Sequence, residues 1–525
     1  MTSLDEAKSK EDDAEAQKQL KLNLMTGFSA SILMSLLFAF CYFAFPRQHE
    51  TPAVLDTVPI YFMTVALCPA WKYDRSCFLA PKNIALFLLL VSLVVSPVWG
   101  TFFGFAINVL PVRPSDDWLN IAILLLCFNY LTLFIGFQIT YRSLCARRVS
   151  APDLSDTGVL CEGPGVVGFF LITGLIAFSV YYASVGGYLN CFLAPSETLA
   201  IVRNETQSHN LTVLIAAILK PFLAFGLVAA WSRWYARGGK HARMRTQIGW
   251  GAVVASLCFL ASVNVNRVST FLPCILFVAV WSLKVRRIST LVVALAGAFL
   301  LVIAVIYGAY RGSHGVVASE FFSSPSQVVE EVFEPRLDES SLQATLMGPQ
   351  YIAYCLMLRQ ENDLMLSGRS LLASALAPVP FLGRPFREQS GLVLYNRYIY
   401  GGRYIYYGDD ILDQPLPLHG ELAWNFGWFG TVGYFILGCV IALLQNGYEI
   451  RRKESPLLVY CYLYFSFCIV FLIGGNLAVS SQMLVNLACP AYLVLLLNRF
   501  VWGPARAARA IQPRNIPNKA RPQSA

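Results

Sequence analysis

Charge is what this sequence has least of: Asp, Glu, Lys and Arg together make 14% of its 525 residues, against about 25% in a soluble domain. Histidine is scarcer still, five in all. Lysine is absent from residues 311–420, although the chain holds 40 Lys and Arg in all. Fourteen cysteines are present, yet no C-x-x-C spacing occurs, which leaves no redox or zinc motif to build on. Most of them fall inside apolar runs and act there as small hydrophobes. Cys191 and Cys355 alone fall in outer connections, so only they form a pair a bridge could join. No internal repeat is visible, and the long polar segment does not divide the chain into two equal halves of spans. Both absences argue against a two-fold transporter architecture.

What is present is apolar residue in runs of spanning length. Hydrophobic types make up 56% of the chain, and about 20 such residues cross a bilayer as a helix. Twelve runs qualify: 24–45, 55–71, 84–110, 118–141, 164–186, 211–231, 249–266, 269–283, 289–310, 421–445, 457–474 and 482–499. The expectation is an all-α polytopic membrane protein. Its parts are a charged cytosolic head (1–23), nine spans (24–310), a large partly helical external loop (311–420), three spans (421–499) and a basic tail (500–525).

The net charge of +9 would suggest nucleic acid in a soluble protein, but its distribution here follows the spans. Alternate connections, beginning with the head, hold 27 of the 40 basic residues, whereas the short connections between them hold only Arg47, Arg113, Arg203 and Arg267. Positive charge stays on the cytosolic side. Both termini are therefore expected in the cytosol, with 311–420 outside, and no nucleic-acid partner is implied.

That outer block carries the candidate chemistry. It holds eight arginines, whose planar forks grip phosphate bidentately. Arg311, Arg384 and Arg387 are the strongest of them, and the others are expected to pair with nearby acids. Six tyrosines between 395 and 407 suit sugar stacking or an interfacial belt, and Tyr398, Tyr404 and Tyr407 are the sugar-binding candidates. His419 and Glu421 stand at the mouth of the tenth span, where a carboxylate or imidazole can serve as general base toward a hydroxyl. Asp409, Asp410 and Asp413 read as a solvated turn, so no metal site is expected. Lys220 lies mid-span, where a charge costs about 2.5–3.5 kcal/mol, so it should face a partner: a structural carboxylate, Glu421 or a lipid phosphate. Arg267 is the lone base of a very short outer turn.

Taken in order, NRVST (266–270), YR (310–311), PFLGRP (380–385) and GELAWNFGWFG (420–430) resemble the O-antigen polymerase family, the oligosaccharide repeat unit polymerases. The resemblance covers roughly 260–480, and E-x-x-x-N-F-G-x-x-G is its most specific part. It departs from the family pattern at Val268, which follows Arg267 where the family pattern has a glycine. The resemblance implies a GT-C-like glycosyltransferase of the bacterial inner membrane that needs no metal, nucleotide sugar or other cofactor. A glycan on undecaprenyl diphosphate would pass to a new lipid-linked repeat unit, with a chain-length regulator as a further partner. In that reading Arg267, Arg311, Arg384, Arg387 and Lys220 bind the diphosphate, and Glu421 or His419 is catalytic. The alternatives are an O-antigen ligase, a polyprenyl-phosphate-sugar glycosyltransferase using Asp116 and Asp117, and a transporter or flippase.

Overall fold

The computed structural model describes residues 77–90, 114–148, 164–193, 211–263, 267–289, 348–361, 367–379, 383–400 and 416–497, besides positions 198, 201, 292 and 323. The expected first, second and ninth spans, most of the third, the head and the tail lie outside the described residues. So do Arg311, Tyr404 and Tyr407.

Among the described residues there is no strand. Six helical stretches are long and apolar enough to cross a membrane: Asp117–Ala146, Pro164–Ser184, Leu211–Ala236, Met244–Ser262, Leu418–Arg451 and Pro456–Ile473. They answer to the expected spans four to seven, ten and eleven. A shorter apolar helix, Ser269–Lys284, stands where the eighth was expected. Helices of this length and composition make the chain a membrane protein.

In chain order the helices are α1 (Pro81–Leu90), α2 (Asp116–Arg148), α3 (Pro164–Ser184), α4 (Leu211–Leu219), α5 (Phe222–Ala236), α6 (Met244–Ser262) and α7 (Arg267–Lys284). Within and after residues 311–420 come α8 (Gly348–Glu361), α9 (Arg369–Leu376) and α10 (Gly391–Tyr400), then α11 (Leu418–Phe426), α12 (Thr431–Arg451), α13 (Pro456–Val470), α14 (Leu477–Met483) and α15 (Cys489–Leu497). The twelfth expected span is thus α14 and α15 joined by a π-helical segment, Leu484–Ala488. Local chemistry sets several ends. Ser455 caps α13 through Leu458 N–H with Pro456 following, and the Asn476 side chain accepts from the first amides of α14. Pro221 has no amide hydrogen to continue the ladder, so the sixth span divides into α4 and α5 at Lys220.

Glycines bring the helix backbones together. A methyl built on Gly136 of α2 would lie 2.2 Å from the Phe435 carbonyl oxygen of α12, and one on Gly438 would lie 2.0 Å from that of Leu133. The two helices run parallel, since Thr132 bonds the Thr431 carbonyl and Tyr141 bonds Glu449 further along. Parallel is the direction the span count gives spans four and ten. A second crossing joins α3 and α5 antiparallel, through Gly174 against Leu223 and Gly226 against Leu171. Small residues at such crossings let dispersion contacts do what hydrophobic burial cannot do in lipid.

The bundle has two unlike ends. At one, the basic connections are tied together: Tyr235 donates to the Lys284 carbonyl, Lys284 Nζ to the carbonyls of Arg452 and Glu454, and Lys82 N–H to Gln445. At the other end lie the start of α2 and the short helices α8, α9 and α10, which pack against α11. The charge asymmetry of the sequence is therefore an end-to-end asymmetry of the fold.

Candidate functional site at the cap and bundle junction

The E-x-x-x-N-F-G-x-x-G element acquires a physical meaning residue by residue. Glu421 and Asn425 stand one turn apart on α11 and share the face turned to α9 and α10. The Glu421 carboxylate is fully buried, and its Oε1 accepts from the Ser374 hydroxyl at 2.7 Å. Ser374 in turn accepts the Gly391 N–H at 3.0 Å, so one hydroxyl joins the start of α10 to α11. A methyl on Gly391 would lie 2.2 Å from Glu421 Oε1, and only glycine fits there. Asn425 makes the second link. Its Oδ1 accepts the Gly368 N–H at 2.8 Å, and its Nδ2 donates to the Ser370 hydroxyl and the Glu421 carbonyl, both at 2.7 Å.

The two glycines of the element shape the chain rather than touch a substrate. Gly427 ends α11 at φ 57° and ψ −130°, a region essentially restricted to glycine. Gly430 lets the following single turn, Gly427–Gly430, fold back against the main chain of Leu422, whose carbonyl oxygen would be 2.9 Å from a methyl there. Arg359 of α8 lies under this bend. Its guanidinium reaches the Ala423 carbonyl at 3.5 Å and would lie 3.1 Å from a methyl built on Gly427.

His419 and Glu421 are not brought together. Two residues apart on a helix, they face opposite ways: His419 is buried between α2 and α12, stacked on Tyr434 at 4.7 Å and 6°, with Nε2 hydrogen-bonded to the Tyr130 hydroxyl at 3.2 Å. Three buried polar atoms of α11, Glu421 Oε2, His419 Nδ1 and Trp424 Nε1, have no hydrogen-bond partner among the described residues. Cys355, buried beside Gly420, has its thiol held well above the usual range, by burial first and then by the Glu421 carboxyl. Cys191 is a buried thiol in no disulfide, in a separate cluster with Tyr181 and Tyr182, so the possible bridge between the two does not form.

The other expected residues scatter around this junction. Tyr398 of α10 is partly exposed and meets the buried Trp424 edge-on, with ring centroids 5.7 Å apart. Arg387 is half-buried at the end of a one-turn helix, Arg384–Arg387, four residues before Gly391. Arg384 and Arg267 are described by their backbone alone, Arg267 as the first residue of α7. Asp117 is exposed in the first turn of α2, where an acid complements the helix dipole. No group of three metal-ligating side chains occurs among the described residues.

Among the described residues Lys220 pairs with neither Glu421 nor another carboxylate. Its ammonium donates to the Tyr182 hydroxyl and the Val263 carbonyl, each at 3.1 Å, and lies 4.4 Å from the Tyr181 ring centre and 4.9 Å from that of Tyr182. Tyr182 also donates to Val263. Two aromatic faces and two oxygens replace the missing anion, which an apolar sequence window gave no sign of. Because the site is otherwise apolar, Lys220→Met is expected to leave thermal stability unchanged or slightly raised. A fall of several degrees in the unfolding temperature would show instead that the ammonium holds α4, α5 and α6 together.

Sequence reasoning missed Ser370, Ser374, Gly391 and Arg359. The i, i+4 spacing of the two serines was the one signal available. Fold and site together define a helical membrane protein in which a cap of short helices is locked over a buried carboxylate. No protein-family model, curated protein or solved structure matches the chain.

Proposed function

We propose that the protein is a metal-independent glycan polymerase with a GT-C-like arrangement of about twelve spans. It transfers a glycan from polyprenyl diphosphate onto a lipid-linked oligosaccharide repeat unit, on the membrane face that carries the cap. The observation that carries this reading is Glu421 Oε2: a carboxylate oxygen buried without a partner among the described residues, at a junction where cap and bundle meet. Groups left unsatisfied in an interior are costly and are characteristic of sites of chemistry.

In the reaction the acceptor hydroxyl gives its proton to Glu421, and its oxygen forms the new bond at the anomeric carbon. The bond from that carbon to the diphosphate oxygen breaks, and the diphosphate leaves with the electron pair. Arginines of the outer block, Arg311, Arg384 and Arg387 with Arg267, meet that charge. Ser374 and Gly391 cover the carboxylate, so α9 and α10 must part from α11 for a sugar to reach it. Tyr398 offers its exposed face to the sugar.

The test is chain lengthening by the purified protein on synthetic polyprenyl-diphosphate-linked repeat units. The expected product is a ladder spaced by one repeat unit, formed without nucleotide sugar. Movement of the intact lipid-linked unit across a vesicle bilayer, with no new glycosidic bond, would overturn the reading in favour of a carrier. A single transfer confined to a lipid A core acceptor would make the protein a ligase.

A further inference from the structure

The 21 residues of α12 rise about 31 Å at 1.5 Å each, which matches a hydrocarbon core of about 30 Å. Glu449 and Arg451 close its far end. The turn Gly427–Gly430 therefore sits at the level where hydrocarbon gives way to headgroups. That turn presents Trp428 and Phe429, 47% and 81% exposed, with Phe128 of α2 edge-on to Trp428 at 5.9 Å. Val432 and Ile436 continue the apolar face down α12. Aromatic side chains at this depth face lipid.

Directly behind the turn stands Arg359, half-buried, with the guanidinium against Gly427 and no ion pair among the described residues. Among the described residues its guanidinium makes one hydrogen bond, the long contact to the Ala423 carbonyl, and the rest of its fork meets no acceptor there. Arg369 is exposed at the start of α9, and the residue before it, Gly368, packs on the Phe426 ring. Two arginines thus flank the residues that lead into the exposed aromatic turn. A half-buried guanidinium beside a lipid-facing surface is matched by a phosphodiester on an acyl chain: the phosphate takes the fork and the chain lies along the aromatic face.

We infer that Arg359, Arg369 and the Phe128, Trp428 and Phe429 face form a binding site for an anionic phospholipid of the bilayer. The occupant is a bilayer lipid and not the carrier, because a single phosphate pairs the half-buried Arg359, with Arg369 exposed at the rim, and the exposed apolar face continues along α12. Holding a lipid there fixes the bend at Gly427 and, through α11, the position of Glu421.

The experiment is native mass spectrometry of the full chain, stripped of lipid in detergent and titrated with phosphatidylglycerol. One lipid is expected to remain bound to the wild type, and Arg359→Gln should weaken its retention about tenfold. Arg397→Gln, on an exposed cap arginine already paired with Glu388, should not change it. If Arg359→Gln fails to fold, Arg369→Gln, on an exposed side chain, is expected to weaken retention by a smaller factor. Equal retention in both Arg359→Gln and Arg369→Gln overturns the site, as does equal retention of diacylglycerol, which has no phosphate. Displacement of phosphatidylglycerol by undecaprenyl diphosphate at tenfold lower concentration would overturn the occupant and assign the site to the carrier. None of these readouts depends on glycan transfer, so the site stands or falls apart from the proposed polymerase activity.

Discussion

Glu421→Gln is expected to lower chain lengthening by about 10²- to 10⁴-fold, the usual range for loss of a general base, while leaving the folded protein in place. The amide oxygen of glutamine can still accept the Ser374 hydroxyl, so the link from α11 to α9 and α10 survives. What changes is the ability to take a proton. The same substitution separates a chemical role from a structural one. A purely structural Glu421 would be matched by glutamine in both activity and unfolding temperature. Full elongation by Glu421→Gln on lipid-linked repeat units would remove Glu421 from the proposed mechanism. Glu421→Ala should be worse in a different way, because it leaves the Ser374 hydroxyl without its acceptor at a cost of about 1–3 kcal/mol.

Gly438→Ala is expected to be among the most damaging single methyls in the described bundle. The added carbon would lie 2.0 Å from the Leu133 carbonyl oxygen and 2.9 Å from the Phe137 nitrogen. Both neighbours are backbone, so no side chain can turn away, and α2 and α12 must separate. Overpacking typically costs about 1–3 kcal/mol, and a backbone neighbour places this case at the upper end. The loss should appear as a lower folded, monodisperse fraction after detergent extraction. Gly136→Ala, at 2.2 Å from Phe435, should behave alike. Gly168→Ala and Gly249→Ala, with nothing within 4 Å, are the controls. There alanine should stabilise the helix by about 0.5–1 kcal/mol. A Gly438→Ala protein as stable as Gly249→Ala would show that α2 and α12 do not cross this closely.

The partition between what could be read and what could not follows the range of each interaction. Spans four to seven, ten and eleven were visible because a helix in lipid must satisfy its own backbone and clothe itself in apolar side chains. Both are properties of a window of about 20 residues. The end-to-end asymmetry was visible in the basic connections for the same local reason. Glu421 was legible as a candidate, from a carboxylate set at the start of an apolar run, and the structure adds that it is fully buried.

Its surroundings were not. Ser374 and Gly391 lie 47 and 30 positions from it by number, and the i, i+4 spacing of Ser370 and Ser374 gives them a common helix face without saying what that face meets. His419 looked like a partner for Glu421 because it is near in sequence, whereas helix geometry turns it toward Tyr130 and Tyr434. Lys220 looked like a charge in want of an anion, and instead two tyrosine faces and a carbonyl from other helices meet it. The sequence by itself determined that this is a helical membrane protein with its basic connections segregated from a polar, arginine-bearing block, because hydrophobicity and charge act through composition. Only the tertiary structure decided what faces each polar group, because hydrogen bonds and close packing depend on a few tenths of an ångström between segments far apart in the chain.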